Sequence, residues 1–288
     1  MDGGYNGDAA QGGPHKQVFF PRTLPELFTV WKRFPDAVPY AGGTDLGKGQ
    51  ERKYSLELPA AILSLNFLEE LHHFTRTERY IELGSMVKLN DILTMGKIVP
   101  HAFTQAVARI ASVELRNLAT LGGNICHPVK GPDASAALIA LDARYELRSA
   151  QASRWISASR FASGPSAANP QELLVRIRIP LEQWDYTRYT RFEDRSLAYA
   201  SGGSMVVLAR SQKNILTDLR AVFAGESVLR DKNSETALAG KRLPLDRRDA
   251  AHFIDLWKTY LSAAEGPDPF LKARIVHGIE ASIRELTD

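Results

Sequence analysis

The chain is poor in cysteine: Cys126 stands alone among 288 residues. One thiol closes no intrachain disulfide and cannot hold an iron–sulfur cluster, which takes about four thiolates. A reducing, cytoplasmic setting is the expectation. No apolar run approaches the roughly 18 residues of a membrane-spanning helix. The opening residues, MDGGYNGDAAQGGPH, have neither the basic nor the apolar stretch of a secretory signal, and residues 1–16 read as a disordered tail. A net charge of only +3 gives no electrostatic case for a nucleic acid or a membrane surface. Also missing are the G-x-G-x-x-G and G-x-x-x-x-G-K-[ST] phosphate fingerprints and the G-x-S-x-G nucleophile elbow. His72-His73 has no acidic or thiol ligand at metal spacing, so no metal site is expected.

What is present is an ordinary globular composition, 44% hydrophobic and 24% charged, long enough for one large or two moderate domains. Val18-Phe19-Phe20-Pro21 predicts a short strand, and Thr23-Leu24-Pro25-Glu26 predicts a capped helix running to about Phe34. Residues 37–41 read as a strand that delivers the stretch YAGGTDL. Further strands are expected at 61–65 and 80–83, then a helix at 89–93 capped by Asn90. Phe103, Val107, Ile110 and Val113 predict one continuous helix over 101–116. It leads into a second glycine loop, Arg116-Asn117-Leu118-Ala119-Thr120-Leu121-Gly122-Gly123-Asn124-Ile125. After it come a small-residue helix at 134–143, a strand at 144–147, a loop at 163–170 and the alternating strand LLVRIRIP at 173–180. Strands at 203–209 and 219–224 and helices at 248–264 and 269–286 complete the pattern, with a domain boundary near 180–184.

Both glycine segments put a hydroxyl beside paired glycines with a short polar side chain close by: Gly42-Gly43-Thr44-Asp45 and Thr120-Leu121-Gly122-Gly123-Asn124. Glycine lets backbone N–H groups converge on an anion, because no side chain holds the ligand off. A lone Gly-Gly serves a tight turn equally well. The pairing of two such segments, each at the end of an element, points to an anionic cofactor held from two sides. Cys126-His127 is not expected to form a nucleophile pair, since neighbours on an extended chain point apart. Lys241-Arg242 and Arg247-Arg248 read as solvated surface.

The order AGGTDL, LGSMVKLNDIL, ELRNLATLGGNI, then Asp133 before ALIALDA, then ELLVRIRIP, resembles the FAD-binding medium subunit of the molybdenum hydroxylases, the xanthine dehydrogenase and carbon monoxide dehydrogenase flavoproteins. The resemblance covers about residues 17–288. It implies an α+β fold: a two-subdomain FAD-binding unit of the vanillyl-alcohol-oxidase (PCMH) type over 17–183, followed by a C-terminal α+β domain over 184–288. It implies that Pro39, Tyr40, Ala41, Gly42, Gly43, Thr44, Asp45 and Leu46 wrap the diphosphate. Thr120, Leu121, Gly122, Gly123 and Asn124 would oppose them, Ile110 would lie against the flavin, and Asp133 and Leu174 would contact the cofactor. Arg188 stands where the family commonly has lysine, as a flavin-tuning residue with altered geometry. The segment 127–132 also departs from the family pattern. With one cysteine, the resemblance further implies that [2Fe-2S] clusters and molybdenum cofactor sit on an iron–sulfur subunit and a molybdopterin-binding large subunit. Electrons would then pass through FAD to NAD or another acceptor. The alternatives are a self-sufficient FAD oxidoreductase of the same fold and a scaffold subunit without flavin.

Overall fold

The computed structural model describes residues 17–44, 59–127, 133–162, 168–193, 201–225 and 227–287. The tail at 1–16, Asp45, Leu46 and residues 128–132 and 163–167, all addressed above, lie outside the described residues.

Strands β1 (Gln17–Phe19), β2 (Val38–Tyr40) and β3 (Ala61–Ser64) form a parallel sheet in the order β1-β3-β2. Helix α1 (Leu24–Arg33) joins the first two. Thr23 caps it by accepting from Glu26 N–H, and the Glu26 carboxylate reaches back to Arg22 N–H at 2.8 Å. Such a cap contributes about 1 kcal/mol. Leu24, Leu27, Phe28 and Trp31 recur at helical spacing and bury one face against Leu63 and Leu65.

The second sheet is antiparallel, in the order β4-β5-β8-β6-β7, from β4 (Phe74–Arg76), β5 (Tyr80–Gly84), β6 (Arg144–Arg148), β7 (Ser153–Ser157) and β8 (Leu173–Pro180). Between β5 and β6 run five short helices: α2 (Leu89–Thr94), α3 (His101–Ala108), α4 (Val113–Leu118), α5 (Leu121–Ile125) and α6 (Ser135–Ala140). Helix α7 (Ala158–Ala162) follows β7.

The third sheet, β12-β11-β10-β9, is built from β9 (Tyr186–Glu193), β10 (Ser201–Gln212), β11 (Ile215–Ala224) and β12 (Val228–Leu229). Lys213 and Asn214, both at positive φ, turn β10 into β11. Alternation splits the faces of β10: Val206 and Leu208 join the core around α3 and α6, while Met205, Val207 and Ala209 join the core under the C-terminal helices. Those helices are α8 (Lys232–Ala237), α9 (Arg247–Ala263) and α10 (Pro269–Glu285). The helical layer carrying α3 and α6 is therefore clamped between two sheets.

The structure departs from the sequence expectations in the helical layer. The helix expected over 101–116 is two helices, broken at Ala111 with φ 45, because Ser112 caps α4 by accepting from Leu115 N–H. Val113, placed by periodicity on the buried face, is 51% exposed. Asn90 does not cap α2; Lys88 holds that position, and its side chain makes no capping bond to the helix. The second glycine segment is not an open loop: Thr120 caps α5, and both glycines lie inside that helical turn.

Candidate functional site

A cleft of about 280 Å³ opens between the first sheet and the helical layer. One wall is the end of β2 and the turn after it, with Pro39, Tyr40, Ala41, Gly42, Gly43 and Thr44. The other is built from Ile110, Ala111, Leu115, Arg116, Ala119, Thr120, Gly123, Asn124, Cys126 and His127. Val38, Pro59, Ile62 and Leu89 add apolar surface. The two glycine segments, some eighty residues apart in sequence, therefore face one another across a single cavity.

Each glycine has a different reason to be there. At Gly42 an added Cβ would lie 2.3 Å from the Leu118 carbonyl oxygen, so the walls meet backbone to backbone at that point. The same carbonyl accepts from Lys88 Nζ at 2.9 Å, and burial lowers the pKa of that lysine. Gly43 has φ 67 and sits beneath the Tyr40 hydroxyl, which a Cβ would meet at 2.1 Å. Gly122 packs on Ser85, where an added Cβ would lie 2.6 Å from Ser85 Cβ, and its N–H donates to the Ser85 carbonyl at 2.7 Å. Gly123 alone is open to the cleft: a Cβ there meets only Thr120 Oγ1 at 2.9 Å and Ala41 Cβ at 3.8 Å.

The second wall is stitched down behind the cleft. Leu89 N–H donates to Ala119 O at 3.0 Å, Leu121 N–H to Val87 O at 2.9 Å, and Thr120 Oγ1 accepts from Gly123 N–H at 3.0 Å. Thr120 is 1% exposed and serves as the cap of α5. Asn124 carries a buried Oδ1 with no hydrogen-bond partner. Cys126 is a free, exposed thiol on the cleft wall, and desolvation by the protein around it raises its pKa.

Of the residues expected at the site, Leu121 and Leu174 lie in the core cluster behind the wall rather than on it, and Gly122 is the packing contact with Ser85. Asp133 is beside the helical layer, its carboxylate 3.2 Å from Arg191 Nε and its carbonyl accepting from Tyr189 Oη at 3.1 Å and Ser204 Oγ at 3.2 Å. Arg188 is on the opposite face of β9, paired with Glu285 of α10, and does not line the cleft. Sequence reasoning assigned no role to Arg116, Ala111 or Leu115. The available signal was the serine at 112, which marks a helix start and so turns Ala111 and Arg116 toward one another.

Among the described residues no group of three His, Cys, Asp or Glu side chains is placed to hold a metal, and no helix is long and apolar enough to cross a membrane.

A family described as the FAD binding domain in molybdopterin dehydrogenase matches residues 14–182. The nicotinate dehydrogenase FAD-subunit of Eubacterium barkeri is 25% identical over 276 residues, 91% of this chain and 93% of that protein. The carbon monoxide dehydrogenase medium chain of Hydrogenophaga pseudoflava is 25% identical over 246 residues, 83% of this chain and 85% of the relative. In structure, the chain is similar to quinoline 2-oxidoreductase from Pseudomonas putida 86, with a TM-score of 0.80 at 20% identity, covering 96% of this chain and 98% of that one. At that identity the structural likeness speaks for the fold.

Proposed function

The chain belongs to the family of FAD-binding domains of molybdopterin dehydrogenases, and from that premise we propose that it is the electron-exchange subunit of a larger enzyme, with FAD held between the two glycine segments. It is an oxidoreductase subunit of the medium-chain type, and its cofactor is FAD. The cleft suits such a group on two counts. Gly123 leaves backbone uncovered on one wall opposite Ala41. Asn124 turns a buried, unsatisfied amide corner toward the same space, and rotation of that amide offers either an acceptor or a donor. The facing of Gly42, Gly43 and Thr44 against Thr120, Gly123 and Asn124 across one cavity is the observation that carries the reading.

Bound FAD supplies the ability to accept electrons singly and release them in pairs. The residues of the chain supply position and field. In this reading the glycine walls receive the diphosphate, and Ile110 with Leu89 and Ile62 excludes water from the apolar part of the cofactor. Residues 17–183 form the cofactor-binding part and 184–288 the C-terminal part. The names FAD-subunit and medium chain, borne by the relatives, support assembly with other chains. An iron–sulfur subunit and a molybdopterin-binding large subunit are the partners proposed, with NAD(H) among the acceptors. A single cysteine requires that any such cluster be carried elsewhere.

The test is reconstitution. Full-length protein incubated with FAD and passed through gel filtration retains flavin absorption at close to one cofactor per chain; a colourless protein overturns the assignment. Co-purification followed by metal analysis tests the partners. Turnover of an organic substrate by the isolated chain would replace the subunit reading with that of a self-sufficient oxidoreductase.

A further inference from the structure

Arg116 lines the cleft yet is only 9% exposed, and no carboxylate pairs with it among the described residues. Its Nη1 donates to Ile110 O at 2.6 Å and Ala111 O at 2.8 Å and reaches Ala108 O at 3.5 Å. These are carbonyls left without partners where α3 stops, and a cation is favourable at that end of a helix. The rest of the guanidinium is not used. Nε is buried without a partner, and Nη2 makes no hydrogen bond among the described residues. Glu114, exposed in the first turn of α4, feels the charge but forms no ion pair with it, and a buried charge without a paired counter-charge is expensive to keep. The geometry is that of a planar group pinned at one corner, Nη1, on the wall of a cavity. The cavity wall beside it, Leu118 and Ala119, is where Gly42 of the opposite wall makes its backbone contact.

We propose that Arg116 is the anion-recognising residue of the cleft, its guanidinium held by the end of α3 so that its charge meets the diphosphate of the cofactor. The inference rests on the cleft being the FAD site. It assigns the diphosphate a fixed cation in addition to neutral backbone donors. The break at Ala111 acquires a purpose in consequence: a continuous helix over 101–116 would bond those carbonyls internally and leave nothing to orient the guanidinium.

The experiment measures binding of FAD, ADP and riboflavin to flavin-stripped full-length protein by calorimetry, for wild type, Arg116→Gln and Arg116→Lys, at two salt concentrations. The expected result is about a tenfold to hundredfold weakening of FAD and ADP for Arg116→Gln, as for loss of a charged hydrogen-bond donor. Partial recovery is expected in Arg116→Lys, with riboflavin affinity unchanged. The salt dependence of ADP binding should also fall in Arg116→Gln. Wild-type affinity for ADP in Arg116→Gln, with only a lower melting temperature, would make Arg116 a helix-end cap and overturn the proposal. A loss confined to riboflavin would overturn it too, placing the guanidinium at the ring instead. Should Arg116→Gln not fold, the arginine Nε–H resonance of the wild-type protein, assigned with Arg116→Lys, must shift on adding ADP; no shift refutes the proposal. Wild-type protein that binds no FAD would instead overturn the cofactor assignment itself.

Discussion

A methyl group at Gly42 tests whether the cleft exists because its two walls touch. The Cβ of Gly42→Ala would sit 2.3 Å from the Leu118 carbonyl oxygen, where ordinary contact begins at 3.4 Å, and 3.0 Å from Ala119 Cα. Neither neighbour is a side chain that can swing away. The Leu118 carbonyl is also tied to Lys88 Nζ, and Ala119 O to Leu89 N–H. One wall must therefore shift by about an ångström, and overpacking of this kind costs roughly 1–3 kcal/mol. For a chain of this size that lowers the melting temperature by roughly 2–12 °C. Gly123 provides the contrast. A side chain there meets only the rotatable Thr120 hydroxyl and the distant Ala41 Cβ. Loss of the Thr120 cap, worth about 0.5–2 kcal/mol, is offset in Gly123→Ala by the better helix propensity of alanine, about 1 kcal/mol. Differential scanning fluorimetry with and without FAD separates the two positions. Gly42→Ala lowers the melting temperature of the flavin-free protein, whereas Gly123→Val abolishes the rise that FAD produces, a rise of about 2.7 kcal/mol at a hundredfold excess over Kd. An unchanged melt for flavin-free Gly42→Ala would refute the reasoning, since it would mean that the walls do not bear on one another.

Three further outcomes follow from the same structure. Hydrogen bonds from Arg154 at 2.8 and 2.7 Å, with one from Asn169 N–H, hold the Glu172 carboxyl at about 2 against its ordinary 4.5. Its stabilising contribution is thus complete above pH 4.5 and disappears as pH falls to 2, so urea midpoints of wild type and Glu172→Gln should differ at pH 7 and converge at pH 2. Cys126 is exposed on the cleft wall, so FAD should slow its alkylation by iodoacetamide at pH 8 by filling the cleft; an alkylation rate, read by mass spectrometry, that FAD leaves unchanged would contradict its placement. Arg188→Ala removes a partly exposed pair with Glu285 worth about 0–1 kcal/mol and should leave FAD retention and the flavin spectrum as in wild type; a shifted spectrum would show that Arg188 reaches the cofactor.

Where local chemistry and periodicity agree, the sequence was readable. The Thr23 cap, the alternation in β8 and the long amphipathic helices α9 and α10 all stand within a residue or two of their expected limits. The facing of Gly42-Gly43-Thr44 and Thr120, Gly123 and Asn124 was also readable, because each pair of glycines follows an element end with a hydroxyl and a short polar side chain close by. What failed was the region where short-range and long-range demands compete. Periodicity carried the helix at 101 through Val113, but the Ser112 cap and the positive φ at Ala111 prevailed. Strand β9 was missed because Thr187, Tyr189 and Arg191 meet the helical layer while Tyr186, Arg188 and Phe192 meet α10, so neither face of the strand reads as apolar. The orientation of Arg188 depends on that parity, and one sequence position carries no information about which face it takes. Gly42, Gly122 and Gly123 look equivalent in the sequence; only the chain packed against each one distinguishes a wall contact from an opening.

The third sheet bears on the cleft without touching it. Tyr189 Oη and Ser204 Oγ both bond the Asp133 carbonyl, Arg191 pairs with the Asp133 carboxylate, and Arg191 Nη1 donates to Arg109 O at the end of α3. Arg220 of β11 does the equivalent for α6, donating to Ala140 O at 2.8 Å while paired with Asp142. Helices this short do not hold themselves; their carbonyl ends need partners from elsewhere. Arg116 meets the end of α3 from the cleft side and Arg191 from the sheet side, so two guanidiniums share one set of orphaned carbonyls. The guanidinium on the cleft wall is thus held by a helix end that the C-terminal sheet keeps in place. This gives a physical reason for the C-terminal part to be packed against the cofactor-binding part rather than merely tethered to it.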